Sequence, residues 1–325
     1  MGQRIVIVAY DGVATLDITG PADVFTEAAR QLGDGNAYRV ELTSMGGGAR
    51  RTTSGITVHS RDLARVRPRA SDTVLVAGGG ERALRAAVAD DGLRRWLQHA
   101  NGRVDRMGSV CSGVFVLATA GLLAGRRVAT HWQACGPLAN MFPDLSVDAN
   151  AIYVNDGRLW TSAGVTTGID MALAMVEHDH DAALADAVAA ALVLYVRRPG
   201  FQSQFSQALI GQLERSDPLS QVTAWIRDHL EEADVERVAQ AAGMSIRTLH
   251  RHCRDRLGLT PAKLIDRLRV EHATTLLSTT DALAKEVADQ SGFGTVARMT
   301  RAFDRQLGVP PREYRLLHRR GLDAG

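Results

Sequence analysis

Ser109-Val110-Cys111-Ser112-Gly113 places a thiol among small residues, between a predicted strand (Arg103–Gly108) and a predicted helix (Ser112–Leu122). Small neighbours are what a nucleophile needs on a sharp strand-to-helix turn, and the layout is that of a nucleophile elbow. A helix amino terminus at that point lowers a thiol's pKa through its dipole. The same five positions also read as a buried structural cysteine. Gly78-Gly79-Gly80 closes another predicted strand (Thr73–Ala77). The backbone N–H groups of Gly79 and Gly80 suit an anionic or carbonyl ligand near Cys111, although three glycines also make an ordinary tight loop. His131, next to Trp132, is the nearest base in sequence, with a packed, hydrogen-bonded ring as the competing reading. Asp17 fits either this pocket or a cap on a helix starting near Pro21. Cys135 and Cys253 read as structural. Three scattered cysteines give neither a disulfide framework nor a zinc site, so no metal and no cofactor is expected.

A second set of residues carries different chemistry. Arg251–Gly258 (RHCRDRLG) returns fifty residues later as Arg301–Gly308 (RAFDRQLG), one structural unit used twice. Upstream of each copy a small residue stands four before a glycine: Ala239 and Gly243, then Ala288 and Gly292. Two helices crossing at a tight turn need that pairing, which is the pattern of a helix-turn-helix. Ser245 and Thr295 stand where each second helix must begin and can cap it. The second helices then span about 246–256 and 296–306, the second turn being one residue longer. Opposite the inner positions Leu249, Cys253 and Met299, the residues Arg247, Thr248, His250 and Arg251 point outward from one helix. Arg298, Thr300, Arg301 and Arg305 do so from the other. Arginine bidentate to guanine is the commonest specific major-groove contact, and other basic groups hold phosphates. Solvated arginines paired with Asp255 and Asp304 are the alternative for any one of them.

These residues need two kinds of scaffold. Residues 1–200 alternate β-branched runs (Arg4–Ala9, Tyr38–Thr43, Thr73–Ala77, Arg103–Gly108) with helical spacing (Pro21–Leu32, Glu81–Val88, Leu93–Ala100, Ser112–Leu122). This is an α/β fold with a doubly wound, mainly parallel sheet. Ile152–Asn155 and Leu159–Ser162 flank Asp156-Gly157, a hairpin signal, before helices over Thr167–Val176 and Ala182–Val196. Residues 201–216 read as a connector, and 217–320 as an all-α domain. Pro261–Leu277 spaces the two units, with Leu264, Leu268, Ala273 and Leu276 inward. At about 25 Å it suits recognition helices roughly 34 Å apart, so one monomer reads two successive major grooves.

At 325 residues two cores are expected. Residues 244–325 hold 15 Lys+Arg against 9 Asp+Glu, while residues 1–243 hold 23 against 27, so the basic excess sits with the repeated units. Lys263 and Lys285 are the lysines, and arginine is abundant throughout, so single arginines carry little weight. No apolar run of membrane-spanning length and no signal-peptide core is present, and the protein is expected in the cytoplasm.

The GMS turn at 243–245, GFG at 292–294, RAF at 301–303 and LGVPPREYR at 307–315 resemble the AraC/XylS family of bacterial regulators over about a hundred residues. Asp11–Phe25, the Gly78–Gly80 turn, the Cys111 elbow, Thr130-His131-Trp132 and Thr161–Asp170 resemble the PfpI-like (flavodoxin-like) branch of the class I glutamine amidotransferase-like superfamily. Together they resemble the GlxA-like group of regulators. That resemblance implies a transcription regulator, not an enzyme: promoter DNA as partner, a small nitrogen-containing effector sensed by the first domain, and a homodimer formed through it. It also implies that Cys111 works with an acid from the first strand-loop region, which maps to Asp17. Peptidase-like members place histidine directly after the cysteine, where this chain has Ser112. Isonitrile hydratases pair the cysteine with an aspartate, so a Cys111-dependent hydratase or amidase with a DNA-binding tail is the alternative function.

Overall fold

The computed structural model describes residues 2–149, 151–194, 218–257, 259–307 and 309–319. The expected connector at 201–216 and the end of the helix expected over Ala182–Val196 lie outside them. The chain divides into two compact units, residues 1–204 and 205–325.

The strands of the first unit are β1 (Gln3–Val8), β2 (Tyr38–Ser44), β3 (Gly48–Arg51), β4 (Thr57–Asp62), β5 (Asp72–Val76), β6 (Arg106–Val110), β7 (Arg127–Val128), β8 (Ser146–Val147), β9 (Tyr153–Asp156) and β10 (Leu159–Ser162). Eight form one sheet in the order β3-β4-β2-β1-β5-β6-β10-β9, and β7 and β8 pair separately. The inner strands are parallel; β3 and β9 are antiparallel edges. The order reverses around β1 and β5, where a doubly wound sheet opens a crevice at its carboxyl ends.

Helices cover both faces, which explains the unbroken apolar run of β1. Ile5 and Ile7 pack with α1 (Thr15–Gln31), α6 (Thr167–Asp179) and α7 (Ala182–Ala191), whereas Val6 and Val8 face α2 (Glu81–Val88), α3 (Asp91–Ala100), α4 (Val114–Thr119) and α5 (Trp132–Met141). Helix α1 starts at Thr15, six residues before the expected start at Pro21, and takes that proline into its interior. At the far end of the sheet the Arg106 guanidinium donates twice to Asp179 at 2.8 Å, and Tyr38 Oη donates to the same carboxylate at 2.7 Å.

The second unit is helical: α8 (Pro218–Asp228), α9 (Val235–Ala241), α10 (Ile246–Leu257), α11 (Pro261–Thr279), α12 (Ala284–Gln290), α13 (Val296–Leu307) and α14 (Pro311–Arg319). Leu219, Val222, Ile226, Val238, Leu249, Cys253, Leu264 and Leu268 make its first core. Val287, Met299 and Phe303 are buried in the second, where the Tyr314 ring meets Phe303 edge-on at 5.9 Å. Four residues separate α9 from α10 and five separate α12 from α13, so the second turn is the longer by one. Gly243 and Gly292 take φ of +61° and +73° at those turns, a conformation that side chains resist. The spacer α11 has 19 residues and is about 28 Å long. It buries Leu264, Leu268 and Ala273, but Leu277 in place of Leu276, and it also buries Arg267 and Arg269. Among the described residues no helix is long and apolar enough to cross a membrane.

Candidate functional site

Cys111 sits where β6 ends and a single 3-10 turn leads into α4, with φ of +57°. Strained backbone at a non-glycine residue is characteristic of a nucleophile elbow and costs on the order of 1–3 kcal/mol, which the surroundings must offset. Three contacts do so. Thr130 Oγ1 donates to the Cys111 carbonyl at 2.9 Å, the Asp17 carboxylate stands beside the thiol, and Gly164 (φ +92°) lies directly against the side chain. A Cβ on Gly164 would fall 2.1 Å from Cys111 Cβ and 2.6 Å from its Sγ, so only glycine fits.

Asp17 is 1% exposed and lies in the first turn of α1, but it does not cap that helix. Its Oδ2 accepts from Gly78 N at 3.1 Å and its Oδ1 from Val165 N at 2.9 Å. One carboxylate thus pins the loop after β5, the loop after β10 and the thiol, which answers the cap reading against a pocket position. Val165 itself has φ of +53° and is exposed, as the chain turns outward there.

The expected donors of the glycine turn are already committed. Gly78 N donates to Asp17, Gly79 N to Ser112 Oγ at 3.1 Å, and Gly80 N to the Gly12 carbonyl at 3.1 Å. Gly79 and Gly80 therefore brace the loop, and their N–H groups do not face a ligand. An oxyanion needs free, pre-aimed donors. Ser112 spends its hydroxyl on this same brace.

The electrostatics run against an activated nucleophile. Burial, then the charge of Asp17, pushes the Cys111 thiol up to about 12 against hydrogen bonds from Ser112. Burial also lifts Asp17 to about 6 against its two backbone donors. The Tyr10 phenol, whose Oη donates to the Ala77 carbonyl at 3.1 Å, is shifted upward by burial, with Asp17 and Cys111 adding to the effect. His131 stands at the start of α5 with its ring 5.6 Å from that of Trp132, and burial holds its pKa below the usual histidine value. The hydrogen bond to the Cys111 backbone comes from Thr130, its neighbour in sequence. Among the described residues no cluster of His, Cys, Asp or Glu is arranged to hold a metal.

The raised Asp17 value makes stability pH-dependent. Between its ordinary value of 3.8 and about 6, the folded unit keeps a proton that the unfolded chain has released. Stability therefore falls as pH rises through that window, and the contribution is complete only below it. The Tm of wild type relative to Asp17→Asn is expected to drop by a few degrees between roughly pH 4 and pH 6.5, measured by thermal melts. A constant difference would contradict a burial-raised carboxyl.

In the helical unit the capping geometry is direct: Thr248 N donates to Ser245 Oγ at 3.1 Å, and Arg298 N to Thr295 Oγ1 at 3.3 Å. Arg247, His250 and Arg251 are exposed on α10, opposite buried Leu249 and Cys253. Arg254 extends the same stripe at i+7 and is exposed too; sequence reasoning passed over it, although i, i+3, i+4, i+7 spacing marked it. On α13, Arg298, Arg301 and Arg305 are exposed along one side. Arg305 is paired with Asp266 of the spacer at 3.5 Å, not with Asp255 or Asp304. The two threonines are half-buried and occupied: Thr248 Oγ1 lies 2.9 Å from Ser245 Oγ, and Thr300 Oγ1 donates to the Val296 carbonyl at 2.9 Å. Among the described residues Arg247, Arg251, Arg254 and Arg301 make no ion pair.

An α/β unit with a strained cysteine elbow, followed in the chain by two helix-turn-helix motifs, defines a class of transcription regulator. Residues 3–178 match the DJ-1/PfpI family and residues 238–316 a helix-turn-helix domain. The chain belongs to the DJ-1/PfpI family, among the AraC-type regulators that carry this domain at the amino terminus. It is similar to the HTH-type transcriptional regulator CdhR of Pseudomonas aeruginosa, 30% identical over 279 residues, covering 86% of this chain and 82% of that protein. Similarity to the regulator GlxA of Rhizobium meliloti is 29% over 299 residues, 89% of this chain and 88% of that one. In fold it is similar to DJ-1beta of Drosophila melanogaster, with a TM-score of 0.52 at 21% identity, over 60% of this chain and 100% of that one.

Proposed function

We propose that the protein is a ligand-responsive regulator whose helical unit binds promoter DNA sequence-specifically, one chain reading two successive major grooves. Its α/β unit senses a small nitrogen-containing metabolite and forms a homodimer, and the protein works in the cytoplasm, where its promoter lies. The single observation that carries the sensing reading is the committed state of the elbow. Gly78, Gly79, Gly80 and Val165 spend their N–H groups within the protein, and the thiol is held up to about 12. A cysteine in that state is protonated at neutral pH, and the N–H groups of the glycine turn, which a hydratase or amidase could aim at developing charge, are spent within the protein. What it does offer is a rigid, pinned crevice floor at the carboxyl ends of the strands, joining three loops that a ligand can shift together.

The strained φ of Cys111 and its contact with Asp17 are what favour the second reading, a Cys111-dependent hydratase or amidase. Cys111→Ala separates the two. It is expected to bind a promoter fragment with wild-type affinity while shifting the concentration of effector that alters transcription. Measurable turnover of an isonitrile or amide by wild type, lost in Cys111→Ala, would move the enzyme ahead.

A further inference from the structure

Arg269 lies in the middle of the spacer α11 and is 7% exposed. Burying a guanidinium is costly unless its donors are used, and here they reach outside their own helix. Nε and an Nη donate to the Leu230 carbonyl at 3.1 and 2.8 Å, and the same Nη donates to the Ala233 carbonyl at 3.0 Å. Leu230 and Ala233 form the turn between α8 and α9, the entrance to the first helix-turn-helix. Burial holds the Arg269 pKa below the ordinary arginine value, with Asp266 opposing that and Arg298 adding to it.

The turn of the second helix-turn-helix presses on the same spot. A Cβ at Gly292 would fall 2.1 Å from the Leu230 carbonyl oxygen and 2.8 Å from Arg269 Nε. That glycine is therefore required twice, for its φ of +73° and for the approach of a turn from the other DNA-reading unit. One carbonyl, Leu230 O, is the meeting point of the first unit's entrance, the spacer and the second unit's turn. A cleft opens beside it, lined by Asp234, Arg237, Asp266, Arg269 and Arg298, the last of these in the first turn of the second recognition helix.

We propose that Arg269 and Gly292 form a lock that sets the distance and rotation between the two recognition helices, so that the protein measures the spacing of its half-sites. Neither residue touches DNA in this arrangement; both are positioning residues. Hydrophobic packing along α11 joins the units but is non-directional, whereas a fork of hydrogen bonds on two carbonyls admits one geometry. The inference rests on the DNA-binding reading above.

The test starts from duplexes of about 30 base pairs that wild-type protein selects from a randomised pool, enough for two half-sites a helical turn apart. Affinity is then compared for the selected duplex, for versions with one or two base pairs inserted between half-sites, and for versions with one half-site scrambled. Each inserted pair turns one half-site by about 34° and removes its base contacts, so wild type is expected to lose about tenfold or more. Arg269→Met and Gly292→Ala, checked for folding by circular dichroism, are expected to discriminate spacing by about twofold, with affinity for the single-half-site duplex within about twofold of wild type. Undiminished spacing preference in a folded variant would overturn the lock. So would equal proportional losses on single and double half-sites, the mark of a merely structural role. Arg269→Lys, the mildest change, keeps the charge and a donor and decides the matter by the same ratio if the other two do not fold. If wild type selects no sequence at all, the DNA-reading proposal itself falls.

Discussion

Replacing Arg251 and Arg301 together by alanine is expected to abolish specific DNA binding. The two residues occupy the same place in the fifty-residue repeat, both are exposed, and each lies at the centre of the outward face of its helix. A good bidentate contact to a base is worth about 1–3 kcal/mol, and the two sites are far enough apart to add, so the expected loss is on the order of a hundredfold or more. Neighbouring changes should cost less, for reasons visible in the structure. The Arg305 side chain is divided between solvent and Asp266, and the hydroxyls of Thr248 and Thr300 are spent on a cap and on the helix backbone. Fluorescence anisotropy on a selected duplex reads the difference. A double variant within about threefold of wild type would show that the helices bind DNA through other residues.

Gly164→Val is expected to destabilise the α/β unit strongly without removing DNA binding by the helical one. The substitution combines three costs. The position has φ of +92°, the first added carbon meets Cys111 Cβ at 2.1 Å, and Cys111 cannot yield because its own backbone is strained and its carbonyl is tied to Thr130. Strain and overpacking of this kind cost about 3 kcal/mol or more, a large share of a domain's stability. Calorimetry should show the transition of the α/β unit lowered by ten degrees or so, with about a degree of change in that of the helical unit. A wild-type melting profile would mean that the loop after β10 can leave Cys111 at little cost.

Much of this was legible in sequence because the physics is local. The four apolar residues of β1, Ile5 to Val8, face two packed layers and carry no ambiguity. The small residue, glycine and capping oxygen of each helix-turn-helix are demanded by the turn itself, and the repeat supplied the check. The edge strand β3 and its neighbour β4 escaped notice because Arg51, His59 and Arg61 are exposed and Val58 is the one apolar side chain that β4 turns inward. Helix α5 was hidden by Gly136 and Pro137 in its interior.

At the candidate site, residue types marked positions that the fold brings near one another, but not the state of the groups. Cys111, Asp17, Gly79 and Ser112 do come together, while Gly80 is exposed and bonds to Gly12. Yet whether a backbone N–H is free or committed depends on partners dozens of residues away, such as Val165 for Asp17 and Gly12 for Gly80. The thiol's upward shift has the same origin, since burial and a neighbouring charge are tertiary facts, while the helix dipole is a local one. Arg269 was invisible for a further reason: in a chain rich in arginine, one more on a helix reads as solvated surface, and only the carbonyls of Leu230 and Ala233 reveal otherwise.

Reading of DNA sequence by this chain through two recognition helices is open to direct measurement. The most direct measurement is the affinity of the full-length protein for a selected duplex and for random duplex of equal length across a salt series. At least about a thousandfold preference for the selected duplex is expected at moderate salt, with both affinities falling steeply as salt rises and phosphate contacts are screened. Equal affinity for the two duplexes at moderate salt would contradict it.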